Sequence, residues 1–245
     1  MKMSKTRLYV NKKLSSNIMI YIKDKQHHFL KNVLRVKIHD KISVFDGITG
    51  EWLTKVVSIN RDNIVIQVTK KYKDLIKETD VWLIFAPIQT YRMGITIQKA
   101  TELGVSNFIP CITQNTNQNK INVRNLKMNI IEASEQSERL SVPKLDNVIK
   151  LNDLIDNFPN DRCLVFFNEN DKNLPIIYDA LNSKINKYSK WAILIGPEGG
   201  FLDEEVERIL TLPNTLSVSL GQRILRSDTA TTAAIFSLQS LIEKN

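Results

Sequence analysis

Two glycine-bearing segments hold the residue types best suited to chemistry. The first runs Leu194-Ile195-Gly196-Pro197-Glu198-Gly199-Gly200-Phe201. Three glycines where an apolar run ends let the backbone turn sharply and approach a ligand closely, because no Cβ intervenes. It is neither a Walker loop nor a dinucleotide fingerprint: no Lys-Ser/Thr follows, and the G-x-G-x-x-G spacing is missing. Phosphate cradling is therefore not indicated, and taken alone the loop reads as a structural turn before a helix. The second segment starts at Leu220-Gly221 and carries Arg223, Arg226 and Asp228-Thr229 into a run of small residues ending at Ala234. Small residues at a helix start permit close approach of another backbone. For the arginines, a solvated basic turn is the alternative to a functional role. Both segments follow strand-like apolar runs on what should be neighbouring strands. They should then lie side by side at the C-terminal edge of a sheet, where open α/β folds bind ligands. Metal chemistry is not expected. Cys111 and Cys163 are far apart without motif spacing, and His27, His28 and His39 lack a matching cluster of acids.

The elements that must position these segments read as two grammars. In the first third, Ile42–Phe45, Glu51–Ile59 and Asn63–Val68 have strand character, with Asp46-Gly47, Thr49-Gly50 and Asn60–Asn63 as turns. Gln26–Val36 is expected as a short helix with Phe29, Leu30, Val33 and Leu34 on one face, and Tyr9 and Phe29 are expected in the core. Several short strands with tight turns predict a small barrel. Lys70–Thr79 is polar and reads as a linker. Beyond it strands and helices alternate: Val81–Ala86, Phe108–Pro110, Cys163–Phe167, Trp191–Ile195 and Leu216–Leu220 as strands, with helices over Ile95–Leu103, Val123–Leu140, Leu174–Leu181, Asp203–Leu210 and Thr229–Ile242. Gly104 should end the first of these helices. Asp203 and Asp228 are expected as N-caps. The alternation predicts an α/β layer with a parallel sheet. The division follows as residues 1–72, a small β-barrel domain, and residues 73–245, an α/β domain.

Charge separates the same two parts. The chain has 34 Lys and Arg against 26 Asp and Glu, a net charge of +8. Residues 1–75 carry 16 basic and 6 acidic side chains, so the whole excess lies in the first third. A merely lysine-rich composition would spread evenly; this asymmetry predicts a polyanion-binding module on a nearly neutral body. No apolar run is long enough to span a bilayer, and Met-Lys-Met-Ser-Lys-Thr-Arg lacks the apolar region of a signal peptide. A cytoplasmic location without membrane attachment is the expectation.

Taken together, the two glycine motifs resemble those of SPOUT methyltransferases, whose catalytic domain holds a deep trefoil knot. More closely, the chain is similar to the 16S ribosomal RNA (uracil-N3) methyltransferases, the ribosomal RNA small subunit methyltransferase E family. Thr6-Arg7-Leu-Tyr9 resembles that family's opening, and His28, Val33-Leu34-Arg35, Asp40 and Phe45-Asp46-Gly47 its N-terminal domain. Ile97–Val105 with Pro110, Glu132–Gln136 with Arg139, and Val142-Pro143 follow in order, completed by Ile195–Phe201, Gly221 and Arg223–Thr229. Three positions depart from the pattern. His39 replaces a usual glycine, so its turn is expected to be built differently. Gly94 replaces a commonly acidic residue, and a tryptophan is missing around Asn129.

The resemblance implies a PUA/OB-like RNA-binding domain followed by a knotted domain that binds S-adenosylmethionine. The implied cofactor loops are the strand end Phe167-Asn168-Glu169, the loop Ile195, Gly196, Pro197, Glu198, Gly199, Gly200 and Phe201, and the segment Leu220, Gly221, Ile224, Leu225 and Thr229. Ile195, Leu220, Ile224 and Leu225 could sandwich the adenine, with core packing as the alternative for each. The implied reaction is methyl transfer to N3 of a specific uridine in 16S ribosomal RNA. Arg226 or Arg223 would stabilise the anionic base; arginine stays protonated and cannot be the base itself. Asp228 and Glu198 are the nearest acids in sequence. Arg7, His28, Arg35 and Arg139 are the candidate RNA contacts. A homodimer is implied, to whose interface Ile235, Phe236, Leu238, Leu241 and Ile242 of the last helix could contribute, with burial inside their own subunit as the alternative. A non-catalytic RNA-binding or ribosome-assembly factor on the same fold is the alternative.

Overall fold

The computed structural model describes every residue except 1–5, 118–120, 169, 170, 172 and 245. It divides into two compact units, residues 1–77 with 134–142 and residues 78–133 with 143–245.

The first unit contains β1 (Arg7–Tyr9), β2 (Met19–Ile22), α1 (Asp24–His28) running into a π-helical turn (Phe29–Val33), β3 (Lys41–Phe45), β4 (Glu51–Ile59) and β5 (Ile64–Lys73). The strands form one sheet in the order β1-β3-β4-β5-β2. The β1–β3 pairing is parallel and the other three are antiparallel. Leu8 and Val10 from one edge share a core with Ile20 and Ile22 from the other. A sheet whose two edges feed one core must be strongly curved. Three register shifts between β4 and β5 supply the bending, since bulges increase local twist. The alternation of Ile64, Ile66 and Val68 is realised as expected, all three being fully buried.

The structure corrects several expectations here. Lys70–Lys73 is not linker but the exposed second half of β5. The 26–36 helix is instead α1 followed by the π turn, which breaks the 3.6-residue phase. Only Leu30 is fully buried, while Phe29 is 37% and Val33 60% exposed. His39 keeps the left-handed conformation a glycine would take, at φ +79. The turn is held by hydrogen bonds from Lys37 N–H to the Asp40 carboxylate (2.7 Å) and from Val56 N–H to the Asp40 carbonyl (2.9 Å).

The second unit is a mixed α/β layer. Its elements are β6 (Asp80–Phe85), α2 (Thr90–Glu102), β7 (Asn107–Ile112), most of α3 (Val123–Gln136), β8 (Lys144–Leu145), β9 (Ile149–Lys150), α4 (Leu151–Asp156), β10 (Cys163–Phe167), α5 (Ile177–Asn182), β11 (Lys190–Ile195), α6 (Asp203–Leu210), β12 (Thr215–Val218) and α7 (Ser227–Ile242). The order is β12-β10-β11-β6-β7-β8, with β9 also pairing β7, and every pairing is parallel. Ile84, Leu164, Phe166 and Leu194 pack with Leu151, Leu154 and Ile155 of α4 and Ile209 of α6. The alternate residues Leu83, Val165 and Ile193 are buried too, so both faces of the sheet are covered. Helix α7 packs on α2, α5 and β11. Gly104, at φ +92, follows the C-cap of α2 as expected. Gly94 and Asn129, two of the departures from the family pattern, meet each other. A Cβ on Gly94 would lie 3.0 Å from the Asn129 amide nitrogen.

Candidate active site

The site is built on three strand ends. Phe166 is level with Leu194 on one side and Ser217 on the other, and Phe167 is level with Val218. Ile195, Phe167 and Val218 therefore end adjacent strands at one height. The two glycine segments are not on neighbouring strands, as the sequence led us to expect: β10 lies between β11 and β12. Two interstrand spacings separate them, about 10 Å. Phe167 and Asn168 sit between them; Glu169 lies outside the described residues. The chain beyond β10 returns to β12, where Ser219 N–H donates to Pro175 O and Ile177 N–H to Ser219 O, both at 2.9 Å.

In the first loop Gly200 is left-handed, at φ +70, and its N–H closes a turn onto Pro197 O at 3.0 Å. Gly196 lies beneath the Phe201 ring, where a Cβ would come within 2.5 Å of a ring carbon. That ring stands edge-on to Phe166, with centroids 5.3 Å apart. Three side chains to which the sequence assigned no part in the site hold this loop. Arg92 of α2 pairs with Glu198 at 2.5 Å. The Asn115 amide donates to the carbonyls of Gly199 (3.0 Å) and Gly200 (3.2 Å). The buried Glu205 carboxylate accepts from Gln114 N–H (2.9 Å) and Leu202 N–H (3.0 Å). Leu202 is thus the N-cap of α6, and Asp203 is its first helical residue. Glu205 three residues past the cap was the one available signal, half of a capping box; Arg92 and Asn115 had none.

In the second segment Gly221 adopts φ +107, with nothing within 4 Å of its would-be Cβ. Its N–H donates to Ser219 Oγ at 3.1 Å. Leu220 and Leu225 are half-buried, while Ile224 is 92% exposed, an apolar side chain with little protein against it. Arg223 and Arg226 are both exposed. Arg226 is the N-cap of α7, so Asp228 is not, contrary to expectation. Asp228 lies in the first turn, and its Oδ1 is buried without a hydrogen-bond partner among the described residues. Thr229 follows it, exposed. The positive end of the α7 dipole and two guanidiniums make this corner electropositive.

Of the residues expected to touch RNA, His28 and Arg35 are exposed, Arg35 in a left-handed conformation at φ +52. Arg7 and Arg139 are not. Arg7 is 9% exposed, and its guanidinium pairs with Glu51 at 3.3 Å, donates to Arg139 O at 3.1 Å and lies over the Phe45 ring. Helix α3 ends at Gln136, so Arg139 sits in the following turn, buried and donating to Ser141 Oγ at 3.0 Å. Both arginines are buried within the first unit and bonded there, contrary to the expectation that they meet phosphates. Among the described residues, no cluster of His, Cys, Asp and Glu could hold a metal, and no helix is long and apolar enough to cross a membrane.

Known proteins give the same picture. Residues 76–239 match the RNA methyltransferase domain family, and residues 22–69 the RNA methyltransferase PUA domain family. Ribosomal RNA small subunit methyltransferase E of Rickettsia conorii is 33% identical over 240 residues, covering 98% of this chain and 97% of its own. The Bacillus subtilis protein of that name is 31% identical over 83% of this chain and 82% of its own. The structure of the Neisseria gonorrhoeae protein of that name, bound to S-adenosyl methionine, superimposes with a TM-score of 0.79 at 25% identity, over 96% of this chain and 97% of that one. The chain belongs to the ribosomal RNA small subunit methyltransferase E family.

Proposed function

We propose that this protein transfers a methyl group from S-adenosylmethionine to N3 of a specific uridine in 16S ribosomal RNA. The supporting observation is the alignment of three parallel strand ends, each leading into a bend at one edge of the sheet. The residues there suit an adenosyl group. Backbone groups of the Gly196–Gly200 loop and of Phe167-Asn168 would pair with polar edges, and Ile195, Leu220, Ile224 and Leu225 offer apolar faces. Gly221, with open space around it, leaves room for close approach. When bound, the cofactor supplies a methyl group on a sulfonium that leaves as a neutral thioether.

The protein's part is to orient the base and manage one proton. In neutral uracil N3 bears hydrogen, so this proton must leave as the N–C bond forms. Arg226 or Arg223 stabilises the negative charge that develops on the ring. The unpartnered Oδ1 of Asp228 supports a proton-accepting role for that carboxylate. Because N3 lies on the Watson–Crick edge, the uridine must be unpaired or flipped out of its stack. The basic first unit, taken as the separate RNA-binding domain, holds the surrounding RNA by its phosphates, with His28 and Arg35 as contacts. The ribosomal substrate implies a cytoplasmic location. A homodimer is part of the proposal, and for most of the apolar residues of α7 the alternative of burial within their own unit applies. Ile235, Leu238 and Leu241 are core residues of their own unit, and Phe236, 62% exposed, is the apolar side chain α7 presents outward.

The test incubates the purified protein with labelled cofactor and small ribosomal subunits lacking the modification, followed by mass spectrometry of the nucleosides. N3-methyluridine is expected. RNA binding without methyl incorporation would favour the non-catalytic assembly factor instead.

A further inference from the structure

We infer that Asn115 is a positioning residue for the glycine loop, fixing the backbone conformation in which the loop receives the cofactor; this rests on the assignment of that loop to S-adenosylmethionine. A loop with three glycines loses more conformational freedom on ordering than the same loop with side chains at those positions. Its own hydrogen bonding is slight: the described residues show only the Gly200-to-Pro197 turn within it. Order must come from outside. The Asn115 side chain has two amide hydrogens, and each finds one of two consecutive carbonyls, Gly199 O and Gly200 O. Because peptide units are planar, holding those carbonyls fixes the Gly199–Gly200 and Gly200–Phe201 peptides, and with them the Pro197–Gly200 turn in which Glu198 and Gly199 are the central residues.

Asn115 is itself held. Glu205 takes Gln114 N–H with one carboxylate oxygen and Leu202 N–H with the other, so one buried side chain fastens the loop after β7 to the far end of the glycine loop. Thr116 Oγ1 accepts from Thr113 N–H at 2.9 Å, and Thr116 N–H reaches Thr113 O at 3.2 Å, tightening the turn that presents Asn115. The two loops are in contact, for a Cβ on Gly199 would lie 3.3 Å from Asn115 Cβ. Meanwhile the N–H groups of Glu198 and Gly199 donate to no protein acceptor among the described residues. They are the kind of backbone donor a ligand can use. All of this lies beyond the ends of β7 and β11, so it shapes the loop without supporting the sheet.

The test measures cofactor affinity of the full chain by calorimetry, with thermal melts in parallel, for wild type, Asn115→Ala, Asn115→Asp and Glu205→Gln. Asn115→Ala should bind roughly tenfold more weakly, the worth of about one hydrogen bond, with an unchanged melting temperature. The loss should appear in KM for the cofactor more than in kcat. Asn115→Asp should bind more weakly still, because a carboxylate of the same shape meets two carbonyl oxygens. Its affinity should partly recover as pH falls and the acid becomes a donor. Glu205→Gln keeps one of two acceptor contacts and should fall between wild type and Asn115→Ala. If Asn115→Ala and Asn115→Asp bind within twofold of wild type, or Asn115→Asp binds better than Asn115→Ala at neutral pH, the inference is overturned. If wild type itself binds no cofactor, the failure belongs to the assignment of the loop and not to the clamp.

Discussion

Gly221 offers the sharpest separation of backbone conformation from packing. At φ +107 it lies where side-chain-bearing residues are strained, yet a Cβ would meet nothing within 4 Å. Gly221→Ala therefore introduces no collision, and its whole effect is conformational, of order 1–3 kcal/mol. The residue is exposed, and among the described residues it is tied by its N–H, which donates to Ser219 Oγ at 3.1 Å, and by its carbonyl, which accepts from the same hydroxyl at 3.3 Å. In the free protein the bend can relax and hide most of that penalty, so the melting temperature should fall by only a degree or two. A ligand that requires the original bend must restore it. The strain then returns in the binding constant, as a roughly 5- to 150-fold loss of S-adenosylmethionine affinity. Calorimetry and a thermal melt on the same sample separate the two effects. Gly196→Ala is the contrasting control, because its Cβ would run into the Phe201 ring and should lower both affinity and stability. Unchanged affinity for Gly221→Ala, with a melt that shows it folded, would refute the claim that this bend forms part of the cofactor socket.

Other consequences concern the framework. The Asp46 carboxylate is the hub of the β3–β4 turn, accepting from Leu14, Ile48 and Thr49 N–H and Thr49 Oγ1 at 2.7–2.9 Å. Burial pushes its pKa up, but these bonds together hold it below the ordinary carboxylate value. Its stabilisation is therefore complete above about pH 4 and lost as pH falls through the lowered value. Asp46→Ala should destabilise by about 3 kcal/mol at neutral pH and flatten the acid limb of a denaturation series. Arg162 is buried over Trp82, 3.5 Å from the ring centroid, and donates to Trp191 O at 2.8 Å besides pairing with Asp80. Arg162→Met should cost about 1–3 kcal/mol in chemical denaturation, because it removes the donor from the carbonyls of Asp80 and Trp191. Burial pushes the thiols of Cys111 and Cys163 up to about 12. Neither should react with iodoacetamide at pH 8 until the protein unfolds, as intact mass would show. RNA affinity should fall steeply with salt, and Arg35→Ala should reduce the slope of log K against log salt by about one phosphate contact; an unchanged slope would remove Arg35 from the interface.

How much of this was legible in the sequence depends on the range of the interaction. Strands buried on both faces, such as Val81–Phe85 and Trp191–Ile195, read correctly because an unbroken apolar run has few other uses. The π turn after α1 did not, because Phe29 and Val33 fit a helical face in spacing and only the extra residue per turn swings them outward. The return of residues 134–142 to the first unit carries no hydrophobic signature at all. Arg7 and Arg139 illustrate a deeper limit. A guanidinium looks the same in sequence whether it faces a phosphate or a partner within the fold, and only the partners, Glu51 for Arg7 and Ser141 for Arg139, distinguish the two. A knot, likewise, is implied by resemblance alone, since strand order does not say how a chain is threaded.

The glycine segments show where local reading stops and tertiary structure begins. Their residues announced sharp turns, but adjacency is a property of the sheet, and β10 stands between the two strands that carry them. That insertion changes the chemistry available. Two bends on touching strands would press backbone on backbone. Two bends about 10 Å apart, with the end of β10 at Phe167 and Asn168 between them, are what the proposed adenosyl site requires, since a flat heterocycle needs peptide groups at its edges and apolar side chains at its faces. The loops could not keep that spacing unaided, for each is built from residues chosen for freedom. The rigidity is lent by Asn115, Glu205 and Arg92, polar side chains from the loop after β7, from α6 and from α2, that reach across to one glycine loop. A binding loop of this kind divides its labour: glycine lets the backbone come close, and side chains distant in sequence decide where it stays.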